Sequence, residues 1–492
     1  MSHMTTKTKR NTIARLTFDG ISHNKNGEIM SKIEITKTSA IEFNTDSVDF
    51  LNDVKSDCTF KNPLFISNDK HGYSNYETDE YLEVFRDLPY CLEAPRGYLT
   101  FVQNKRIIDH LSDRDNVDFI DESLNVPIKF RKKLIGINLR DYQETALKDV
   151  GSSMEGVIVA PTGSGKTIIA LELIRRIGQK TIIVVHRKEL AKQWMEVIKE
   201  RFGFEAGFLG SGKFKDGKIV VAMLQSIVPY FDKVGVDKFP EFGNFIMDEC
   251  HHCPCSQLMK AQYLLPARYR FGFTATTNRR DGLERIIYLA MGYIVSEIER
   301  DTVEDIGGTV PIVVKALKTD FDPGYCDSWA KYIDKISESH NRNVLILNIA
   351  INQKLPSLIL VDRIVHANNL AKILTENNIG FELAHGKARD KKTMLKRIRN
   401  AKITIGTTSL IGEGIDVSSW GSIVMGSPIS SEIKLMQAIG RVSRPSKGKD
   451  SGIVFDLKDD CGFAGGSFKK RMSMYDKADI KVNFIRKDQA YR

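Results

Sequence analysis

Val157-Ile158-Val159-Ala160-Pro161-Thr162-Gly163-Ser164-Gly165-Lys166-Thr167 is the stretch on which the fold turns. Its first three residues are apolar and β-branched, the composition of a strand buried on both faces. The glycines that follow lift the steric limits on the backbone, so successive N–H groups can turn inward around one anion. Behind them an apolar helical pattern runs from Ile168 to Ile177 and stops at Gly178. A helix starting there aims its partial positive end at the same anion. Strand, glycine loop, lysine and helix in this order make a phosphate-binding loop. Pro161, Thr162, Gly163, Ser164 and Gly165 line the cradle. Lys166 brings a point charge to the β- and γ-phosphates of ATP, and the Thr167 hydroxyl is a ligand for Mg2+. The loop opens with Ala160, where the general pattern has glycine.

Outward from this loop the same texture repeats. Short apolar runs recur at Thr181 to Val185, Ile219 to Ala222, Phe245 to Met247 and Phe271 to Phe273, separated by helical patterns. They return at Ser357 to Val361, Ile403 to Ile405, Ser422 to Met425 and Gly452 to Phe455. Buried strands alternating with helices predict an α/β protein with two parallel sheets in tandem. Residues 137–310 form the first such domain and residues 311–492 the second. Their join lies near Gly307-Gly308 and Pro323-Gly324, and the basic tail from Gly462 to Arg492 reads as a short appendage. Residues 1–136 differ. Alternating runs such as Ile33-Glu34-Ile35 and Tyr98 to Val102, punctuated by polar turns at Asn24 to Gly27 and Asn68 to Gly72, predict a small α+β domain.

Composition bounds the partners. The chain has 492 residues, 42% hydrophobic and 27% charged, which suits a globular protein with sizeable cores. Its net charge of +10 favours an anionic partner, nucleic acid above all. No apolar run is long enough to span a membrane. Met1-Ser2-His3-Met4 lacks a signal-peptide core and resembles a cloning remnant ahead of Met4. Seven cysteines, an odd number in a long chain, point to a reduced cytoplasmic setting, the host cytoplasm if the source is a phage. Cys250, His251, His252, Cys253 and Cys255 offer zinc ligands, but no second ligand pair follows at finger-like spacing.

Two further clusters carry chemistry. Phe245-Ile246-Met247 ends in Asp248-Glu249, and acids at the carboxyl end of a parallel strand stand where ligands bind in such folds. Asp248 suits Mg2+, and Glu249 suits the water that attacks a phosphate. Gln437-Ala438-Ile439-Gly440-Arg441-Val442-Ser443-Arg444 places Arg441 and Arg444 on one helix face. Across a cleft they would act as arginine fingers; alone, Arg-x-x-Arg reads better as a solvated basic face.

In order, these residues resemble the motifs of superfamily II helicases over residues 137 to 460. The resemblance implies two RecA-like domains around an ATP cleft, with a nucleic-acid strand crossing both. It gives Gln143 and Arg140 to the adenine, Gly414 and Asp416 to the nucleotide, and Gln437, Arg441 and Arg444 to catalysis with Lys166, Asp248 and Glu249. His251, with Thr274 and Thr276, would couple hydrolysis to movement. His186, Arg187, Gln225, Ser226, Asp362, Arg363, His385, Thr407 and Thr408 stand where the family holds the strand, and Lys129 to Lys133 would extend that track. Thr274 through Gly282 and Leu92-Glu93-Ala94-Pro95-Arg96-Gly97 are similar to elements of the XPB-like and UvsW-like group. That implies an ATP-dependent DNA helicase that remodels branched DNA, in phage recombination and replication, with the first domain binding duplex or junction and the chain working as a monomer on DNA. An RNA helicase would share the same motor. The motor subunit of a restriction nuclease would need a cleavage centre, for which Asp456-Leu457-Lys458-Asp459-Asp460 is the one candidate; the same residues also read as a structural acidic turn.

Overall fold

β-Branched runs with no polar interruption can only be accommodated between two layers of helix, and both large sheets are built that way. The computed structural model describes residues 22–23, 29–30, 32–102, 105–112, 117–161, 163–252, 255–275, 282–299, 302–303, 309–384, 391–408, 417–459 and 462–491. The first large sheet has eight strands in the order Lys213–Lys215, Gly207–Gly210, Ile219–Met223, Thr181–Val185, Asn244–Asp248, Tyr269–Thr274, Glu155–Val159, Ile294–Glu297. All its ladders are parallel except that of the edge strand Lys213–Lys215. The second has seven parallel strands: Glu382–Ala384, Ile403–Thr407, Ser357–Val361, Ser422–Met425, Gly452–Lys458, Ile312–Lys318, Lys481–Ile485. The chain is thus a mixed α/β protein with two RecA-like units. Among the described residues no helix is long and apolar enough to cross a membrane.

Register fixes where the chemistry stands. Val159 pairs with Thr274, and Asp248 pairs with Phe273. The ends of three neighbouring strands, about 4.8 Å apart, therefore deliver the phosphate loop, Thr274 and the Asp248-Glu249 pair to one edge. Helix Lys166–Ile177 packs back onto the sheet through Ile169, Ala170, Leu173 and Ile174, all buried. It ends at Gly178, whose φ of 67° closes the last turn, as the sequence predicts.

The region ahead of the motor carries a five-stranded mixed sheet of Arg86–Leu88, Cys91–Pro95, Ala40–Asn44, Ile33–Lys37 and Val117–Asp121. Its core, with Phe43, Phe50 and Tyr98, is continuous with the core on one face of the first motor sheet. Arg96 locks the joint and is fully buried. Its Nε donates to Glu155 Oε2 at 3.0 Å, Nη2 to the Arg268 carbonyl at 3.3 Å and Nη1 to the Thr38 carbonyl. Lys37 Nζ reaches the same Glu155 carboxylate at 3.4 Å. Beside it, Gly97 approaches the backbone of Tyr288 and Gly292 so closely that any Cβ would collide. Glu155 begins the strand that ends in the phosphate loop, so this joint grips the strand that carries the nucleotide site.

Three segments differ from the sequence reading. Tyr98–Phe101 is one helical turn, not an extended run, because Tyr98 and Phe101, three apart, both bury on one side. Asn68 to His71 belongs to helix Pro63–His71, and Gly72 at φ 69° ends it. The basic tail is no appendage: helix Gly462–Lys477 packs on the second sheet and Lys481–Ile485 joins that sheet beside Ile312–Lys318.

A strap, residues 122–137, leaves the accessory sheet and crosses the amino ends of the motor strands. Leu124 N–H donates to the Pro266 carbonyl at 2.7 Å, Ile128 N–H to Gly178 at 2.7 Å and Ile135 N–H to Arg201 at 2.8 Å. Lys129 to Lys133 ride on this strap, on the side of the sheet away from the phosphate loop, and so do not extend a track along the carboxyl ends. Breaking the buried Arg96–Glu155 pair leaves an uncompensated charge, which typically costs about 3 kcal/mol or more. Arg96→Ala is expected to lower the thermal midpoint clearly, and an unchanged midpoint would contradict the locked joint.

Candidate ATP site and motor cleft

Gln143 sits one turn into helix Asp141–Val150 and clamps the phosphate loop. Its Oε1 accepts from the Arg140 N–H at 3.0 Å, and its Nε2 donates to the Ser164 carbonyl at 2.9 Å. Tyr142 donates its hydroxyl to that same carbonyl at 2.9 Å, while Arg140 Nη1 holds the Tyr142 oxygen at 3.2 Å. A side chain at Gly165, φ 79°, would strike the Gln143 amide. The Ser164 hydroxyl donates to the Pro161 carbonyl at 2.8 Å. Loop residues 163–165 are thereby held with two glycines in the left-handed region, Gly163 at φ 94° and Gly165. Lys166 Nζ donates to the Ala160 carbonyl at 3.1 Å and stands 4.0 Å from Glu249 Oε1.

Asp248 and Glu249 leave adjacent positions with different surroundings. Asp248 is buried; burial first, then the neighbouring charge of Glu249, push its pKa up to about 6, opposed by a hydrogen bond from Trp194 and the charge of Lys166. Trp194 Nε1 donates to its Oδ2 at 2.8 Å. Glu249 is one of the few non-glycine residues at positive φ, 51°, a conformation that costs about 1–3 kcal/mol and concentrates at functional sites. Its Oε2 lies 3.5 Å from His251 Nδ1, which in turn makes a 2.6 Å hydrogen bond with Thr274 Oγ1. The Thr274 carbonyl accepts from the Ala160 N–H at 2.8 Å, so loop, acid pair and coupling strand form one connected set. The oxygen donors fit a hard divalent cation: a carboxylate whose charge is penalised by burial gains most from a metal, and Thr167 follows directly on Lys166.

The second unit faces this set. Arg441, on helix Glu432–Val442, is buried, and burial pushes its pKa down to about 10, while the charge of Glu249 pulls the other way. The charge of Glu249, in one unit, thus acts on Arg441 in the other. Arg444 is half-buried and burial lowers its pKa also; Gln437 lies on the same helix, half-buried.

The expected strand contacts fall at the carboxyl ends of strands. Gln225 and Ser226 open helix Leu224–Val234 after Ile219–Met223. Asp362 and Arg363 follow Ser357–Val361; Thr408, following Thr407 at the end of Ile403–Thr407, donates to Asp362 Oδ1 at 3.3 Å. Arg363 Nε lies 3.6 Å from Asp334. Arg187 precedes helix Lys188–Phe202. His186 is half-buried and within electrostatic reach of Glu249; burial, then Arg187, hold its pKa down to about 4, with Glu249 opposing. Thr162, Thr276, His385, Gly414 and Asp416 lie outside the described residues. Cys250 is buried in the core, and the side chains of His252, Cys253 and Cys255 lie outside the described residues. Trp194 and Tyr142 carry site contacts that sequence reasoning assigned to neither. Trp194 reads there as an apolar helix position, while Tyr142 lies inside a motif and has no marked role.

Fold and site define a two-lobed, nucleotide-dependent motor. Residues 136–279 match the family model described as type III restriction enzyme, res subunit, and residues 340–446 match the helicase conserved C-terminal domain. A probable helicase of Escherichia phage T5 is 28% identical over 65% of this chain and 71% of its own length. The DNA 3'-5' translocase XPB2 of Sulfurisphaera tokodaii is 36% identical over 35% of this chain and 38% of its own. S. cerevisiae Dbp5 bound to RNA and ADP BeF3 superposes with a TM-score of 0.51 at 17% identity, covering 71% of this chain and 90% of that one, a likeness of fold. The chain belongs to the superfamily II helicases, in their XPB-like group.

Trp194→Phe removes one donor from Asp248 and little volume. Partners of a metal ligand typically matter about 10–100-fold. The Mg2+ concentration for half-maximal ATPase is expected to rise about tenfold, read by metal titration of hydrolysis; an unchanged requirement would contradict the role given to Trp194.

Proposed function

We propose that this protein is an ATP-dependent DNA helicase or translocase that unwinds or branch-migrates branched DNA in replication, recombination and repair. The observation that carries the reading is the approach of Lys166 to Glu249 at 4.0 Å in one unit, with Arg441 of the other unit buried within reach of the Glu249 charge. ATP and Mg2+ are its cofactors. Pro161, Gly163, Ser164, Gly165 and Lys166 hold the phosphates, Gln143 and Arg140 the base, and Thr167 and Asp248 the metal, which supplies charge neutralisation at the phosphates when bound. Glu249 orients water. Arg441 and Arg444 sense the γ-phosphate and draw the units together, so that nucleotide state and strand grip are coupled.

His251 and Thr274 link the acid pair to a strand end and give that coupling a route. Contacts from Arg187, Gln225, Arg363 and Thr408 would fall mainly on phosphates and be insensitive to sequence. The likeness to a translocase named for DNA supports DNA over RNA. Among the described residues the one candidate nuclease centre of the restriction-motor reading has its acids engaged elsewhere, and Asp460 lies outside those residues. Asp456 is fully buried and spent on Arg471, at 2.7 Å, and on the Tyr475 hydroxyl at 2.9 Å. Asp459 is buried and receives Arg342, Thr319 and Tyr332. Neither carboxylate is left to hold a cleavage metal.

A substrate panel tests this. Forks, Holliday junctions, tailed duplexes and RNA hybrids are expected to show ATP-dependent remodelling of branched DNA, abolished in Lys166→Ala. Undiminished DNA-stimulated hydrolysis in that variant, or preference for RNA hybrids, would overturn the reading.

A further inference from the structure

The strap that crosses the amino ends of the first motor sheet carries its cations in one place only. Of residues 129–133, Lys129, Arg131, Lys132 and Lys133 are cationic and exposed. The fifth, Phe130, turns inward and packs on Phe202 and Phe204, with ring centroids 5.1 and 6.4 Å away, which pins the strap to the end of helix Lys188–Phe202. Lys218 Nζ donates to the Lys129 carbonyl at 3.3 Å, which adds another cation to the same spot, and exposed Lys215 stands on the sheet's edge strand. The cations are therefore fixed in position, not carried on a loose loop.

Nearby carboxylates do not neutralise them. Glu205 is paired with Lys199 at 2.7 Å, Asp216 with Lys180 at 2.8 Å, and Glu200 lies 3.7 Å from Arg201. Lys129, Arg131, Lys132 and Lys133 form no ion pair with a described residue. Such a cluster can be a merely solvated face. Three features speak for a ligand: the rigid seat, the absence of counter-charge, and the extent. From Thr181–Val185 across Ile219–Met223 and Gly207–Gly210 to Lys213–Lys215 is three strand spacings, about 14 Å at about 4.8 Å each. That is enough to reach phosphates on both sides of a groove about 12 Å wide. Single strands are usually gripped with exposed aromatic rings on which bases stack. Here the three rings pack against one another, so the patch offers charge without a stacking platform.

Resting on the helicase reading, we propose that the amino-end face of the first motor unit, centred on Lys129, Arg131, Lys132 and Lys133, holds the phosphate backbone of a DNA duplex. This is a second nucleic-acid site, on the opposite side of the sheet from the carboxyl ends where the ATP site and the expected strand contacts lie. The strap leads to it directly from the accessory sheet. A duplex arm leaving that unit is thereby kept on one side of the motor while the other strand passes along the cleft.

The test is the combined variant Lys129→Glu, Arg131→Glu and Lys132→Glu in the full chain, all at exposed positions outside the ATP site. Binding of a blunt DNA duplex is followed by anisotropy over a salt series, and ATPase is measured with a short single-stranded DNA oligonucleotide. Duplex affinity is expected to fall at least tenfold. The slope of log affinity against log salt should shrink by about 2.7, three phosphate contacts at about 0.9 each. Single-strand-stimulated ATPase should stay at the parent's level. Duplex affinity and salt slope equal to the parent's would overturn the proposal. So would an equal loss of single-strand stimulation, since the patch would then belong to the strand track. A parent chain that no nucleic acid stimulates would count against the helicase reading alone, and the duplex titration would still decide the patch.

Discussion

One carboxylate, Glu249, stands in the field of cations from both halves of the motor. Lys166 of its own unit approaches to 4.0 Å, and Arg441 of the other unit is buried with Glu249 as the charge that favours its ionised form. A guanidinium loses hydration when buried, and only a nearby anion offsets that cost. A nucleotide's γ-phosphate would bring a larger anion to the same place. A bound γ-phosphate would therefore strengthen the attraction of Arg441 to the first unit's site. Much else serves this point: the strand register that aligns Thr274 with the loop, the left-handed turn at Glu249, and the clamp of Gln143 and Tyr142 on Ser164.

The accessory region is part of the same mechanical body as the first motor unit. Arg96 and Lys37 both end on Glu155, the first residue of the strand that carries the phosphate loop. One hydrophobic core spans both regions beside that joint. Whatever the accessory sheet grips is therefore moved together with the first unit, and relative motion is left to the single junction between the two large sheets. That division suits a machine in which one half carries the duplex and the other steps along a strand.

Much of the fold was legible because buried parallel strands must be apolar throughout. Thr181–Val185, Ser357–Val361 and Ser422–Met425 stand where their composition puts them. The tail was misread because its burial depends on partners outside it: Arg471 and Tyr475, on helix Gly462–Lys477, are held inside by Asp456, a carboxylate in strand Gly452–Lys458, and nothing local announces that. Tyr98–Phe101 alternates in sequence yet turns as a helix, since Gly97 packs against the Tyr288 and Gly292 backbone and sets the direction of the chain. Site residues proposed to hold phosphate come from short contiguous motifs and could be read. Trp194 could not, because its hydrogen bond to Asp248 spans 54 positions and its helix shows only an apolar face.

The account rests on the second unit reaching into the first unit's ATP site, and Arg441→Ala tests that most directly. Nucleotide binding and DNA-stimulated hydrolysis would be measured side by side. Nucleotide affinity close to the parent's is expected, with turnover reduced by about 10³-fold or more, the usual loss when an arginine finger is removed. Turnover at the parent's rate would contradict the claim that Arg441 and Glu249 meet across a shared ATP.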